Sequence, residues 1–253
     1  MLGRTKFFGV LAVAAIMAAG SVALADVELS DVIFQIQVTN DSGSDGYTVL
    51  KTDPGVTFDP VAQKYTWSMG AWFFDNGATL HNASLDVRVG NTRKRIGGAF
   101  SVQAGESTTT FEILFPQLTF DPPIPVGWAE GKMGLAGNVS DGGGGGGITM
   151  RALNPGAGML RADYNGLVPA GTMFGEALYE IDTTNPSGSG YQNVPQSGYT
   201  DIMVPVADMS SRLAFTLTPT DIGGGTHYWE IVPEPASASL LVLGAVALLR
   251  LRR

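Results

Sequence analysis

Few residues of this chain could carry out acid–base chemistry. The sequence contains two histidines, His81 and His227, and no cysteine. A hydrolytic triad needs a histidine beside a nucleophile and an acid, and the chain has no G-x-S-x-G nucleophile motif. His81 lies in a polar stretch beside Asn82, and His227 begins the last apolar run, so we predict surface or strand-end positions for both. No catalytic residue and no metal ligand is predicted, since two histidines without cysteine also disfavour a zinc site.

Carboxylates are abundant, and they keep one enzymatic alternative open. Residues 26–231 hold twenty-two Asp or Glu, which allows many pairs of the kind that glycosidases use. Asp41 and Asp45 match part of a calcium loop, but Gly43 and Thr52 stand at its third and twelfth positions, so the EF-hand pattern fails. Asp and Asn are common in turns for conformational reasons alone. We therefore predict no cofactor, with calcium binding among the loops as an alternative without assigned ligands.

Two clusters could contact a glycan. The run Arg93-Lys94-Arg95 follows the turn Gly90-Asn91 and is predicted to be a solvated hairpin edge; contact with an acidic polysaccharide is the alternative. The second cluster consists of aromatic side chains, predicted to fill the core, with stacking on sugars as the alternative. Its members are Trp67, Trp72, Phe73 and Phe74.

The elements that must position these residues are β-strands. Apolar and polar residues alternate with period two in many short runs bounded by Gly, Pro, Asn and Asp, as in half-buried strands. These runs are 32–39, 47–50, 64–68, 85–89, 109–115, 172–181, 199–206, 213–217 and 227–232. The pattern predicts an all-β fold, a β-sandwich or jelly-roll-like ectodomain.

Two segments lack this alternation and are predicted to be loops. The region around 121–147 begins with Asp-Pro-Pro-Ile-Pro and ends with six glycines, 142–147. Oligoglycine is flexible and packs no core, so we predict one long loop within the ectodomain, with a linker between two lobes as the alternative. The Gly/Ser-rich segment 185–198 is predicted to be a second loop.

The first 25 residues have the features of a secretory signal peptide. Arg4 and Lys6 precede an apolar stretch from Phe7 to Ala19, and Ala23 and Ala25 form a small-residue cleavage site. Such a peptide forms a signal helix and is removed after export, so we predict a Sec-type export route and a mature chain that starts near Asp26.

The last 22 residues, 232–253, combine an extended segment with a short apolar run and a basic end. Val232-Pro233-Glu234-Pro235 is predicted to be stiff and non-helical because proline fixes φ and removes a donor. Residues 236–249 carry no charge and span about 21 Å as a helix, and counting to Arg253 gives about 27 Å. With Arg250, Arg252 and Arg253 at the cytoplasmic headgroups, this run predicts a marginal transmembrane helix.

The ordered triple of Pro-Glu-Pro, apolar run and terminal arginines resembles the PEP-CTERM sorting signal of exopolysaccharide-associated bacterial proteins. The matching residues are Val232, Pro233, Glu234, Pro235, Ala236, Ser237, the run 240–244, Arg250, Arg252 and Arg253. The resemblance covers 22 of 253 residues. It implies recognition by an exosortase-like sorting protease, a transient stay in the inner membrane, and release to the cell surface or the extracellular matrix.

Charge limits the classes of partner. Residues 26–231 carry ten Lys or Arg against twenty-two Asp or Glu, a net charge of −12. A surface this acidic repels nucleic acid, so we predict no nucleic-acid partner. The ectodomain is predicted to be a non-catalytic structural or adhesive module, with exopolysaccharide as a candidate partner. The alternative is a secreted carboxylate-dependent glycan hydrolase.

Overall fold

The computed structural model describes residues 26–90, 92–143 and 146–233, and these form nineteen β-strands. The strands are β1 (Asp26–Leu29), β2 (Val32–Asn40), β3 (Gly43–Leu50), β4 (Thr57–Asp59), β5 (Lys64–Met69), β6 (Trp72–Phe73), β7 (Thr79–Arg88), β8 (Lys94–Gln103), β9 (Thr109–Leu114), β10 (Leu118–Ile124), β11 (Ala129–Ser140), β12 (Ile148–Ala152), β13 (Leu160–Tyr164), β14 (Thr172–Ala177), β15 (Glu180–Thr183), β16 (Ser187–Val194), β17 (Thr200–Asp201), β18 (Val206–Leu217) and β19 (Ile222–Pro233). The described part of the chain is therefore all-β, as predicted.

The strands form two antiparallel sheets. Sheet A has ten strands with the order β1-β10-β18-β9-β2-β3. In addition, β12 and β13 pair with β18, β14 pairs with β13, and β15 pairs with β12. Sheet B has nine strands with the order β16-β11-β19-β8-β7-β5-β4, to which β6 and β17 are added. The long central strand of sheet A is β18, which pairs with β13 and β9. The long central strand of sheet B is β19, which pairs with β8 and β11 along most of its length.

The two sheets pack face to face on aromatic side chains. Four ring contacts run between the sheets with centroid separations of 3.8 to 5.5 Å. The pairs are Phe34–Trp67, Phe100–Phe215, Phe115–His227 and Phe174–Trp229. Trp229 also donates a hydrogen bond from Nε1 to the carbonyl of Asp163 (3.3 Å) on sheet A. The inward side chains thus fill a sandwich core, so binding chemistry must lie on an outer face or at the loops.

The long loop predicted around 121–147 is wrong for most of its length. Residues 129–140 form β11, which pairs with β19 on one side and β16 on the other. Five glycine or alanine residues of this strand contribute no large apolar side chain, so the alternation that marks a strand is hidden. The segment 185–198 was likewise predicted to be a loop, whereas residues 187–194 form β16. Polar β16 lies at the sheet edge, where backbone pairing rather than apolar burial holds it.

Two further strand predictions need correction. The run 199–206 contributes only Thr200–Asp201 to β17 before β18 begins at Val206. In β2 the pairing register shifts between Val32 and Phe34, so Ile33 is buried beside Phe34 while Val32 is partly exposed. A bulge of this kind places two consecutive side chains out of strict alternation.

The predicted terminal helices lie outside the described residues. Residues 1–25 and 234–253 include the signal peptide and most of the sorting signal. Within residues 26–90, 92–143 and 146–233 no helix could cross a membrane. Val232 and Pro233 are described: they end β19 and pair with Glu130 and Ala129. Their extended geometry agrees with the prediction. It is favoured by pairing with β11 as well as by the fixed φ of proline.

Candidate functional site

The outer face of sheet B carries three parallel rows of side chains that the strand register sets side by side. The first row is Lys64, Arg88, Arg95, Glu230 and Lys132. The second row is Thr66, Asp86, Gly97, Tyr228, Gly134 and Asn193. The third row is Ser68, Ser84, Ala99, Thr226, Ala136 and Tyr191. We call these three rows the polar face.

The polar face contains an open depression of about 580 Å³ over β5, β7, β8 and β19. Small side chains form its floor, since Gly97, Ala99 and Thr226 lie next to one another on adjacent strands. Asp86, Arg88 and Arg95 form its charged walls, and the 55–57 segment borders it. Because the side chains of the floor are small and those of the walls are polar, the depression has the shape and chemistry to bind a hydrophilic ligand.

Arg95 lies back along the floor of the depression. A Cβ atom added at Gly97 would lie only 3.3 Å from Arg95 Nε, so the missing side chain at position 97 makes room for the arginine. The Arg95 guanidinium carbon also lies 5.2 Å from the centre of the Tyr228 ring. This contact is a cation–π interaction, which holds the guanidinium in place without using its hydrogen-bond donors.

On the charged walls of the depression, two polar atoms lack hydrogen-bond partners among the described residues. They are Arg95 Nε and Asp86 Oδ1, and both are buried. Asp86 does form ion pairs, with Lys64 through Oδ2 and with Arg88 Nε at 3.6 Å through Oδ1. A buried polar atom without a hydrogen bond costs about 1–3 kcal/mol. One unsatisfied donor and one under-satisfied acceptor therefore flank the same concave surface.

Two tyrosines of the polar face lie beyond the depression, on the side toward β11 and β16. Tyr228 lies across Gly134, where an added Cβ would come within 2.8 Å of Tyr228 Cε1. The Tyr228 hydroxyl donates to Asn193 Oδ1 at 3.1 Å, and burial raises the pKa of Tyr228. Tyr191 on the edge strand β16 is 79 % exposed. The polar face thus continues from charged walls to aromatic rings that can stack on an apolar sugar face.

A second cluster on this face is already satisfied internally. The buried Glu230 carboxylate accepts a hydrogen bond from the Tyr199 hydroxyl and pairs with Arg93 Nε at 3.4 Å. The hydrogen bond to Glu230, together with burial, raises the pKa of Tyr199. The Lys132 ammonium lies 5.9 Å from the Tyr199 ring centre. These groups contact one another at the end of the polar face. Among the cations beside the depression, Arg95 has no ionic partner among the described residues.

The basic cluster Arg93-Lys94-Arg95 is not the solvated sheet edge that we predicted. Strand β8 lies between β7 and β19 in the interior of sheet B, and Lys94 is 2 % exposed and donates to the Val89 carbonyl at 3.1 Å. The three consecutive side chains alternate across the sheet, so Lys94 is directed to the inner side and Arg95 to the polar face. The neighbours of Arg95 in the sheet come from β7 and β19, so they cannot be found from residues adjacent to it in the sequence.

The aromatic cluster divides between the core and the surface. Trp67 and Phe74 are buried as predicted, whereas Trp72 is 41 % and Phe73 is 76 % exposed. Trp72 packs on Tyr47 with ring centres 4.5 Å apart. The exposed aromatic pair, Trp72 and Phe73, lies beside the first residues of β7, at the opposite end of that strand from Asp86. It is a second surface on which a sugar could stack, and it serves below as a control.

His227 is neither a surface residue nor the start of a strand, so that prediction is wrong. It lies in the middle of β19, 3 % exposed, with its ring 3.8 Å from that of Phe115. Burial lowers its pKa to about 3, against a smaller opposing contribution from the Gly98 backbone. His81 is half-buried on β7. His227 is one of the residues that line the depression, but its ring lies in the core against Phe115. Neither histidine joins a metal cluster among the described residues.

A smaller cavity of about 280 Å³ lies on the outer side of sheet A. Its charged lining consists of Arg161, Arg212 and Glu176. Arg161 is held by Asp163, Arg212 Nη1 is 3.2 Å from Glu112 Oε2, and Glu176 accepts a hydrogen bond from the Gly158 amide. Arg212 Nε has no hydrogen-bond partner among the described residues, but each charged group of this cavity is ion-paired or hydrogen-bonded within the chain, so the cavity offers less to a ligand than the polar face.

Comparison with known proteins yields only distant structural resemblance. No protein-family model matches the sequence, and no curated protein matches it. The chain is similar to TmCBM61, solved in complex with beta-1,4-galactotriose, with 12 % identity over 60 % of this chain and 87 % of that one and a TM-score of 0.29. It is similar to the K1 cleaved adhesin domain of Lys-gingipain from Porphyromonas gingivalis W83, with 11 % identity over 56 % and 84 % and a TM-score of 0.29.

A third similar structure is a family 11 carbohydrate-binding module from Clostridium thermocellum. It is 8 % identical over 79 % of this chain and 96 % of that one, and its TM-score is 0.24. With TM-scores this low, the resemblances establish neither a shared fold nor a shared ligand for this chain.

Proposed function

We propose that this chain is an exported, non-catalytic glycan-binding module that acts as an adhesive or structural protein at the cell surface or in the extracellular matrix. The observation that carries the binding proposal is the depression of the polar face. Its floor consists of small residues, and it is flanked by two buried atoms, Arg95 Nε and Asp86 Oδ1, that have no hydrogen-bond partners among the described residues. A sugar hydroxyl can donate to the carboxylate oxygen or accept from the arginine N–H, so a glycan offers a complementary group for each atom.

Binding fits this depression better than hydrolysis does. A glycosidase uses two carboxylic groups about 5–10 Å apart on either side of the bond it cuts. The described lining of the depression contains one carboxylate, Asp86, and ion pairs with Lys64 and Arg88 engage it. A lone carboxylate lacks the second acidic group that this hydrolysis requires. It can still accept hydrogen bonds from sugar hydroxyls.

The binding site is tested by filling the depression. Ala99→Trp places a large ring on the floor without changing charge, and Trp72→Ala removes the exposed ring at the other end of β7. Affinity gel electrophoresis of the purified full chain against soluble neutral and acidic polysaccharides measures retardation by each polymer. We expect Ala99→Trp to weaken binding at least about tenfold, or about 1.4 kcal/mol, and Trp72→Ala to stay within about twofold.

Circular dichroism of both variants confirms that they fold. If Ala99→Trp binds as the wild type does while Trp72→Ala loses binding, the glycan site is at the exposed aromatic pair and the polar face is the wrong surface. If the wild-type chain binds none of the polymers, the binding proposal fails.

The export half of the proposal rests on the sequence ends. We infer that the signal peptide is removed after Ala25 and that an exosortase-like protease acts at the Pro-Glu-Pro segment. Because Val232 and Pro233 are held in β19, we expect the cut to fall on the C-terminal side of Pro233. Mass spectrometry of the mature termini in the native host, combined with fractionation, measures both cuts.

Replacing Pro233-Glu234-Pro235 with alanines is expected to abolish C-terminal processing while export continues. Unprocessed chain would then accumulate in the membrane fraction, detected with an antibody against the ectodomain. Val61→Ala changes a 94 % exposed side chain and controls for substitution itself. Normal processing of the alanine variant, or a wild-type chain that keeps Met1 and Arg253, would contradict this account.

A further inference from the structure

We infer that the glycan bound by the polar face is acidic and that Arg95 binds its carboxylate, as in a polysaccharide that contains uronic acid. This inference rests on the proposed function and specifies the ligand class of the same depression. Three cations stand in one row across three adjacent strands, because Lys64 pairs in register with Arg88 and Arg88 with Arg95. Residues directly opposite on neighbouring strands lie about 5 Å apart at Cβ, where like charges repel.

The carboxylates of the chain compensate this row only in part. Asp86 pairs with Lys64 and with Arg88. Glu230, opposite Arg95 in the register, is engaged by Tyr199 and Arg93. The Arg95 guanidinium therefore has no ionic partner among the described residues, and its Nε has no acceptor there.

Guanidinium chemistry points to the kind of anion. The planar fork of arginine matches the two oxygens of a carboxylate, and such bidentate pairs are stronger than neutral hydrogen bonds. The Tyr228 ring and the bare backbone at Gly97 fix the guanidinium against the floor of the depression. A pre-positioned cation loses little side-chain entropy when it binds a ligand.

The acidic surface elsewhere does not prevent this binding. Residues 26–231 carry a net charge of −12, which repels a polyanion at long range. At physiological salt the Debye length is about 8 Å, so exposed charges beyond that distance are largely screened. At contact distance a ligand in the depression meets the cations Arg88 and Arg95 and one carboxylate, Asp86, among the described lining residues.

The test compares polygalacturonate and alginate with the same polymers after reduction of their carboxyl groups. Isothermal titration of the purified full chain is expected to show binding to at least one acidic polymer and a loss of at least about tenfold for its reduced form. Arg95→Gln is expected to weaken binding of the acidic polymer by a similar factor. Arg151→Gln removes the same charge from an exposed site on sheet A and is expected to change affinity less than twofold.

The outcomes separate this inference from the proposed function. Equal binding of acidic and reduced polymers, lost in Ala99→Trp but unchanged in Arg95→Gln, would overturn the acidic ligand and keep the glycan site. Equal losses in Arg95→Gln and Arg151→Gln would show an effect of total charge, which overturns the role of Arg95. Failure to bind either acidic polymer overturns the inference, and failure to bind any glycan overturns both.

Discussion

Lowering the pH from 6.5 to about 3 is expected to destabilise the wild-type chain by up to roughly 4–5 kcal/mol more than a His227→Phe variant. The His227 ring is buried in the core against Phe115, and burial holds its pKa at about 3. In the unfolded chain the imidazole takes up a proton near its ordinary pKa of about 6.5. Below that pH the unfolded state binds more protons than the folded state, so stability falls as the pH drops and levels off below about 3.

The measurement is urea unfolding followed by tryptophan fluorescence at several pH values between 7.5 and 3. Carboxylates also titrate in this range, but they are shared by the two chains, so the difference between the curves isolates His227. Phenylalanine keeps a ring beside Phe115 and removes the titrating group. Parallel pH profiles for the two chains would mean that His227 is protonated in the fold, in contradiction to its burial.

Removing Arg161 is expected to cost about 3–5 kcal/mol, because it leaves the Asp163 carboxylate buried without its counterion. Asp163 has no exposed side-chain area and accepts two hydrogen bonds from Arg161, at 2.8 Å from Nε and 2.9 Å from Nη2. This side-chain hydrogen bond also raises the pKa of Arg161. The pair lies on β13, whose Asp163 carbonyl accepts the hydrogen bond from Trp229 that connects the two sheets.

Arg161→Met tests this pair by chemical denaturation. The double variant Arg161→Met/Asp163→Leu removes both charges and is expected to be more stable than Arg161→Met alone, since no unpaired buried charge remains. Arg151→Met breaks an exposed pair with Glu180 and should cost at most about 1 kcal/mol. A loss below about 1 kcal/mol for Arg161→Met would show that the Asp163 carboxylate is compensated by other groups.

The strands that were predictable are those whose inward positions hold large apolar side chains. In β9, Phe111 and Ile113 alternate with polar residues, and the period-two pattern alone identifies the strand. In β11 and β19, glycines occupy inward or outward positions that face bulky neighbours. Gly131 shows the cause: an added Cβ would lie 2.5 Å from Phe174 and 3.0 Å from Trp229. Such a position needs no side chain because its partners fill the space, so a hydrophobic pattern does not detect it.

The candidate site could not be predicted because its residues meet only through pairing register. Arg95 was visible as part of a basic run, yet its role depends on lying between Arg88 and Glu230 on neighbouring strands. Register depends on turn geometry and bulges as well as on the apolar pattern. The registers of β5, β7, β8 and β19 bring together residues that are up to about 160 positions apart in the sequence.

The most direct test of the glycan-binding account is an NMR titration of the full chain with an oligosaccharide of the polymer that it retains most strongly. We predict that amide shifts concentrate on the polar face, at Asp86, Gly97 and Thr226, and that Trp72 and Phe73 stay unperturbed. Shifts confined to Trp72 and Phe73, or no shifts at saturating oligosaccharide, would contradict the account.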